Sequence, residues 1–373
     1  MSDIRHRLAR PDLGDEELAA VKRVFESGYL IQGPEVEALE GAVCELTGAR
    51  YAVAVSSGTA ALHVAYLATG VAPGDGLLIP SYAWPSAANL ALMLGARPYL
   101  VDVSPDTYNL DVEKLRRRIQ KITAEHDSPL KAVVPVHQFG LPCDIAGVVA
   151  TARAHGLDVI EDAACALGAR IGRTSVGCYG RLGIFSLHPR KSVTTGEGGI
   201  IVTGDDDLAE RCRALRDHGR DRTGVIRIPG LNYRLTEMAA AVGNVQLKRL
   251  PAILRKKRRL VEVYLSVLAG DARIDLPAAP EEHTWQTFMV VVVGVERRHV
   301  IDRLRETYGI ESGVGSVDAH SLDLFREQPE WEHLPVSERL ADCGLALPLH
   351  ARMSEDDAAF CAESLVVVLN SLS

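Results

Sequence analysis

The sequence has no long apolar run, no metal-type cysteine spacing, no internal repeat, no low-complexity stretch and no excess of basic charge. No run approaches the roughly 18 apolar residues of a membrane-spanning helix. The N-terminal stretch MSDIRHRLARPDLG carries no apolar signal core, so a cytoplasmic, soluble protein is expected. The seven cysteines (44, 143, 165, 178, 212, 343 and 361) are scattered and contain no CxxC pair. That spacing offers no zinc framework and suits a reducing compartment. A net charge of -8 argues against a general nucleic-acid or membrane-surface binder. One basic cluster exists, RKKRR from Arg255 to Arg259, and its helical context reads as a solvated face rather than a targeting signal.

What is present is a globular chain of 373 residues, 47% apolar and 24% charged, long enough for two domains or one large domain with an appendage. The first 204 residues alternate short apolar, partly β-branched runs with helix patterns. Expected strands are 51–55, 76–79, 98–102, 132–136, 157–160, 182–187 and 199–202. Expected helices are 15–26 (ended by Gly28), about 35–47, 60–68, 86–94, 110–122 and 145–155. Regular alternation with apolar strands indicates a mainly parallel sheet covered by helices. After Gly204 the pattern changes. A charged helix covers 205–217, a helical stretch runs from Val242 to Leu268 with the long helix proper from about residue 250, and FMVVVVGV is a β-rich run. Helix patterns at 298–308 and 354–370 follow. The expected division is 1–248 for a large α/β domain and 249–373 for a smaller α+β domain.

In parallel sheets of this kind ligands bind at the carboxyl ends of strands, and polar residues collect there. Lys191 lies between two apolar runs, in a segment punctuated by Pro189, Gly196, Gly198 and Gly199. A lysine held near the interior has its charge disfavoured and its amine made nucleophilic. That is the requirement for a Schiff base with an aldehyde such as pyridoxal phosphate; a surface lysine between strands is the plainer alternative. The turn Ser56-Ser57-Gly58-Thr59 opens a helix and presents free backbone N–H groups to an anion, although such turns need small residues anyway. Asp162 ends a buried strand, where a carboxylate must be paired, or else caps the next turn. Trp84 follows another strand end and either stacks on a ligand ring or packs in the core. Ser186 lies at the end of the strand leading to Lys191. His137 and His188 read as supporting or purely structural histidines, and His320 and Arg220 as sugar or diphosphate contacts or ordinary surface residues.

In order along the chain stand SSGTAALH, PSYAWPSAAN, VIEDAACALGA, FSLHPRKSVTTGEGG and GLNYRLTEMAAAVGNVQL. With these motifs the sequence resembles the DegT/DnrJ/EryC1/StrS family of pyridoxal-phosphate-dependent nucleotide-sugar aminotransferases. The resemblance runs from SGYLIQGPEVEALE at residue 27 to LALPLH at 345. It implies the type I PLP-dependent transferase fold, with a large domain holding a mainly parallel, seven-stranded sheet and a smaller C-terminal α+β domain. It implies pyridoxal 5′-phosphate as cofactor, with Lys191 as Schiff-base lysine and proton shuttle and Asp162 facing the pyridine nitrogen. Trp84 takes the stacking position, and Ser57, Gly58, Thr59 and Ser186 hold the phosphate. Asn232 would reach the phosphate of the partner subunit's cofactor, which implies a homodimer with the site at the interface.

Three positions depart from the family pattern. Cys165 stands near the cofactor's phenolic oxygen, where many members have Gln or His. Ala83 replaces a common Thr, and Leu187 a frequent Phe. The lysine is retained where a sugar-dehydrating subgroup has His. The function implied is transfer of an amino group from glutamate to a keto group of a nucleotide-linked sugar, with no nucleic-acid or membrane partner. The alternatives are another pyridoxal reaction, such as dehydration or elimination, and a non-catalytic sensory or regulatory protein on the same fold.

Overall fold

The computed structural model of the chain describes residues 4–125, 129–326 and 333–372. The apolar runs of the first half become β1 (Tyr51–Val55), β2 (Gly76–Pro80), β3 (Arg97–Val101), β4 (Leu130–Val133) and β5 (Asp158–Asp162). After a small hairpin, β6 (Arg170–Ile171) and β7 (Thr174–Ser175), come β8 (Leu182–Ser186) and β9 (Gly199–Thr203). Seven of these form one sheet in the order β1-β9-β8-β5-β4-β2-β3. Pairings from β3 to β8 are parallel, and β9 runs against both of its neighbours. Strands β2, β8 and β9 are buried at every position. Burial on both faces is why their sequences are continuously apolar instead of alternating.

The helices that enclose the sheet are α1 (Asp15–Ser27), α2 (Pro34–Thr47), α3 (Gly58–Ala68), α4 (Ser86–Met93), α5 (Val112–Glu125), α6 (Ile145–Ala154) and α7 (Asp206–Arg216). Gly28 closes α1 at φ 72, a left-handed position suited to glycine. Leu62 and Ala65 of α3 pack with Leu77, Ile184 and Ile201 of the sheet in one buried cluster. Leu39 and Val43 of α2 pack with Phe185 and Val202 in another.

Helix α8 (Glu237–Leu268) begins well before residue 250, where the sequence pattern places the long helix. Its N-cap is Thr236, whose hydroxyl accepts the Ala239 N–H at 3.2 Å. Pro251 lies inside the helix and forgoes one helical hydrogen bond without ending it. The buried Glu237 carboxylate accepts N–H groups of Gly33, Glu35 and Val36 at 2.8, 2.8 and 3.0 Å. One side chain of α8 thereby satisfies the unpaired donors at the start of α2, a strong charge-assisted cap.

Beyond α8 a second sheet orders β10 (Ile274–Asp275), β11 (Phe288–Val292), β13 (Gly344–Leu347) and β12 (Gly313–Val314), all antiparallel. Helices α9 (Arg297–Tyr308), α10 (Asp323–Arg326), α11 (Pro335–Cys343) and α12 (Glu355–Leu372) complete the chain. Leu260, Tyr264 and Leu268 of α8 pack into the cluster of this second sheet. We propose residues 1–248 and 249–373 as the two domains, and α8 spans that boundary unbroken. Strands β6, β7, β10, β12 and β13 and helices α10 and α11 are additions to what the sequence pattern marks. Among the described residues no helix is long and apolar enough to cross a membrane.

Candidate active site

Strands β8 and β9 pair with Ser186 opposite Gly199, so the segment 187–198 is the loop of a hairpin. The loop is tied inward: Leu187 N–H donates to the Gly198 carbonyl at 2.8 Å, Thr195 N–H to Leu187 at 3.0 Å, and Lys191 N–H to His188 at 2.8 Å. Lys191 is half-buried, and its Nζ lies 3.0 Å from Cys165 Sγ. Cys165 belongs to the turn after β5, the strand beside β8.

Asp162 ends β5, paired with Ile184 of β8. Its carboxylate accepts one backbone N–H, from Ala164 at 3.0 Å. Burial pushes this carboxyl above the usual carboxylate range, while the Ala164 N–H and the charge of Lys191 pull the other way. A buried carboxylate so sparsely hydrogen-bonded calls for a cationic partner.

The turn before α3 forms a second group. Ser57 is the N-cap, and its Oγ accepts the Ala60 N–H at 3.0 Å, which leaves the hydroxyl proton to donate elsewhere. The first N–H groups of α3 face no helical partner. A Cβ on Gly58 would stand 2.8 Å from Ser186 Cβ, so only glycine lets the Ser186 hydroxyl approach the helix start this closely. Thr59 Oγ1 lies 3.4 Å from Ser86 Oγ.

Under these groups sits a buried network. Glu161 accepts N–H groups of Gly177, Tyr179 and Gly180 at 2.8, 2.6 and 2.7 Å, and meets His137 Nε2 at 3.1 Å. His137 Nδ1 accepts the Cys143 N–H at 3.1 Å, which puts the ring proton on Nε2, facing Glu161. The His137 backbone N–H donates to the Asp162 carbonyl at 3.0 Å. His137 therefore braces the strand end that carries Asp162.

Other sequence candidates lie further out. Trp84 is 69% exposed after β2. Asn232 is exposed in a loop that pairs with Asp217, next to Tyr233, whose carbonyl accepts the Ser56 N–H at 2.8 Å. Among the described residues no hydrogen bond, ion pair or ring contact joins Trp84 or Asn232 to Lys191. His188 is partly exposed near Glu197, at 3.9 Å, and Arg220 is exposed. His320 is not an ordinary surface residue: its side chain is 9% exposed and its ring meets Ser81 Oγ at 2.8 Å and Glu338 Oε1 at 3.1 Å. The RKKRR cluster also differs from a uniformly solvated face. Ile253, Lys257, Leu260 and Tyr264 form the inner stripe of α8, and Lys257 is 3% exposed. That periodicity was the available signal for Lys257; the uniform basic run hides it.

The residues present fit pyridoxal phosphate. A helix start with free N–H groups and two serine hydroxyls suits the phosphate. The buried Asp162 suits a protonated ring nitrogen, and the Lys191 amine suits the aldehyde. Among the described residues there is no cluster of metal-ligating side chains.

Residues 11–366 match the model of the DegT/DnrJ/EryC1/StrS aminotransferase family. The chain is similar to the aminotransferase TlmJ from Streptoalloteichus hindustanus, with 30% identity over 98% of this chain and 99% of that one, at a TM-score of 0.90. It is similar to DesI, solved in the presence of its TDP-sugar product, with 30% identity over 99% and 94% of the two chains and a TM-score of 0.90. A putative sugar aminotransferase from Streptococcus pneumoniae, Spr1654, solved in PLP-form, shares the fold at 24% identity over 98% and 99% of the chains and a TM-score of 0.90.

Proposed function

The chain belongs to the DegT/DnrJ/EryC1/StrS family and is an aminotransferase that uses pyridoxal phosphate, and on that premise we propose how its residues work and on what. The amino donor is glutamate, which leaves as 2-oxoglutarate. The acceptor is a keto sugar carried on a nucleoside diphosphate, as suggested by the TDP-sugar product of DesI. The observation that carries this reading is the joint placement of Lys191, Cys165 and Asp162 at the ends of two adjacent parallel strands.

When bound, the cofactor supplies an aldehyde that carries the amino group and a cationic ring that draws electron density from the substrate carbon. Lys191 holds it and, once its amine is released, takes the proton from the donor carbon and returns one to the acceptor carbon. A base already in place needs no diffusional encounter, which removes much of the entropic barrier. Asp162 keeps the ring nitrogen protonated, and its burial makes that pairing strong. Ser57, Gly58, Thr59 and Ser186 bind the phosphate, and Trp84 stacks on the ring. Asn232 reaches the phosphate of the partner subunit's cofactor in a homodimer, and the enzyme works in the cytoplasm.

The test is incubation with glutamate and a panel of nucleoside-diphosphate keto sugars, with both products quantified. Amino sugar and 2-oxoglutarate in equal amounts are the expected result. Sugar dehydration without loss of glutamate would show elimination instead of transfer.

A further inference from the structure

Against the Lys191 loop lies a narrow cleft whose walls include Lys191, Ser192, Lys257, Arg10, His350 and Asp12. The proposed reaction gives no task to Lys257. Its buried ammonium donates to Ser192 Oγ at 3.1 Å and the Gln286 carbonyl at 3.4 Å, both neutral acceptors. Among the described residues no carboxylate lies within ion-pairing distance of it. Asp12, the acidic residue in the cleft wall, is already engaged by Arg249 and by Arg352 Nε at 3.1 Å. Among the described residues, the buried His350 Nδ1 has no hydrogen-bond partner. Arg10 is exposed and also unpaired among the described residues.

Charge in this cleft is therefore one-sided. Burial pushes the Lys257 ammonium down to about 7, with the Cys165 sulfur pulling the other way and the charge of Lys191 adding to the fall. Burial, then the charges of Arg10 and Lys257, hold His350 down to about 4, against Asp357 and the Arg7 carbonyl. An anion seated among these groups relieves both the desolvation and the repulsion.

We propose that Lys257, with Arg10 and His350 around it, is the subsite for the α-carboxylate of the amino donor, beside the amine presented by Lys191. The proposal rests on the aminotransferase reading above. An amino acid carries its carboxylate on the carbon that bears the amine. A cation hydrogen-bonded to Ser192, the residue after Lys191, shares one cleft with the lysine residue whose amine meets the α-carbon, so a carboxylate on that carbon has a cation to pair with. A keto sugar has no carboxylate, so Lys257 serves the donor half of the reaction selectively. A diphosphate is the other anion available to this enzyme.

The test compares wild type, Lys257→Met and Lys257→Arg, each loaded with pyridoxal phosphate, by calorimetric titration with glutarate and with thymidine diphosphate. Glutarate has the carboxylates of the donor but no amine to react. Its affinity is expected to fall about tenfold to a hundredfold in Lys257→Met, the effect of losing one charge-assisted hydrogen bond. Lys257→Arg should retain most of it, and nucleoside-diphosphate affinity should be unchanged. In single-turnover experiments the loss with glutamate should exceed the loss with the keto sugar. An unchanged visible cofactor spectrum verifies that the variant is folded. Equal glutarate affinity in wild type and Lys257→Met overturns the proposal, as does the absence of glutarate binding in wild type. Loss of diphosphate affinity alone would reassign the cleft to the nucleotide. If glutarate binding depends on Lys257 but no glutamate is consumed, the carboxylate site stands and the aminotransfer reading fails.

Discussion

Lys191 Nζ and Cys165 Sγ are 3.0 Å apart, joined across two neighbouring parallel strands. The thiol is thus placed on the amine proposed to take the cofactor. Cys165 is half-buried, whereas Cys143, Cys212 and Cys361 are buried. Iodoacetamide labelling followed by mass spectrometry should find Cys165 modified in the cofactor-free protein and protected once pyridoxal phosphate is bound. Labelling that ignores the cofactor would place the thiol outside the binding site.

Asp162→Asn should lower turnover by about a hundredfold to a thousandfold, the usual effect of removing one aligned electrostatic partner. Its effect on the cofactor-free protein should have the opposite sense. Burial raises the Asp162 carboxyl above its ordinary value. The folded state therefore holds the proton more tightly, and stability is lost as pH rises through the raised value. That loss begins near the ordinary carboxyl value, so the cofactor-free Asn variant should melt above wild type once the pH passes the raised value, with the difference closing below about pH 4. Pyridoxal phosphate should raise the Tm of wild type more than that of the variant. A cofactor-free variant that melts below wild type at pH 7 would mean that the carboxylate is stabilised by the fold itself.

Glu161→Gln tests the buried brace. The carboxylate serves Gly177, Tyr179, Gly180 and His137, and an amide offers one oxygen and a donor in place of the second. Leaving buried N–H groups unpaired should cost about 2–4 kcal/mol, read as a lower Tm in both the cofactor-free and the loaded protein. An unchanged Tm would show that water or a shifted loop takes over the lost bonds.

The strands and the residues at their ends were legible because two rules coincide there. Runs such as LGIFS and GIIVT are buried at every position, hence apolar throughout, and polar residues collect where such strands end, as Asp162 does on β5 and Ser57 and Lys191 do in the segments after β1 and β8. Lys257 was not legible: in RKKRR every position looks solvated until the phase of α8 turns one of them inward beside Ile253 and Leu260. Glu237 and Glu161 look like ordinary acidic residues, because their work is to accept backbone N–H groups from segments distant in sequence or across a turn. His320 is drawn from the surface by Ser81 and Glu338, a contact that depends on tertiary folding. Local pattern marks where a strand ends; only the assembled fold shows which side chain meets which backbone.

The most direct measurement is the visible absorption of the purified chain loaded with pyridoxal phosphate, before and after glutamate, beside Lys191→Ala. Wild type should show the band of a lysine-bound cofactor, and glutamate should bleach it; Lys191→Ala should lack the band and all steady-state transamination. A band indifferent to glutamate, or the same band in Lys191→Ala, would contradict the role assigned to Lys191 and the amino transfer built on it.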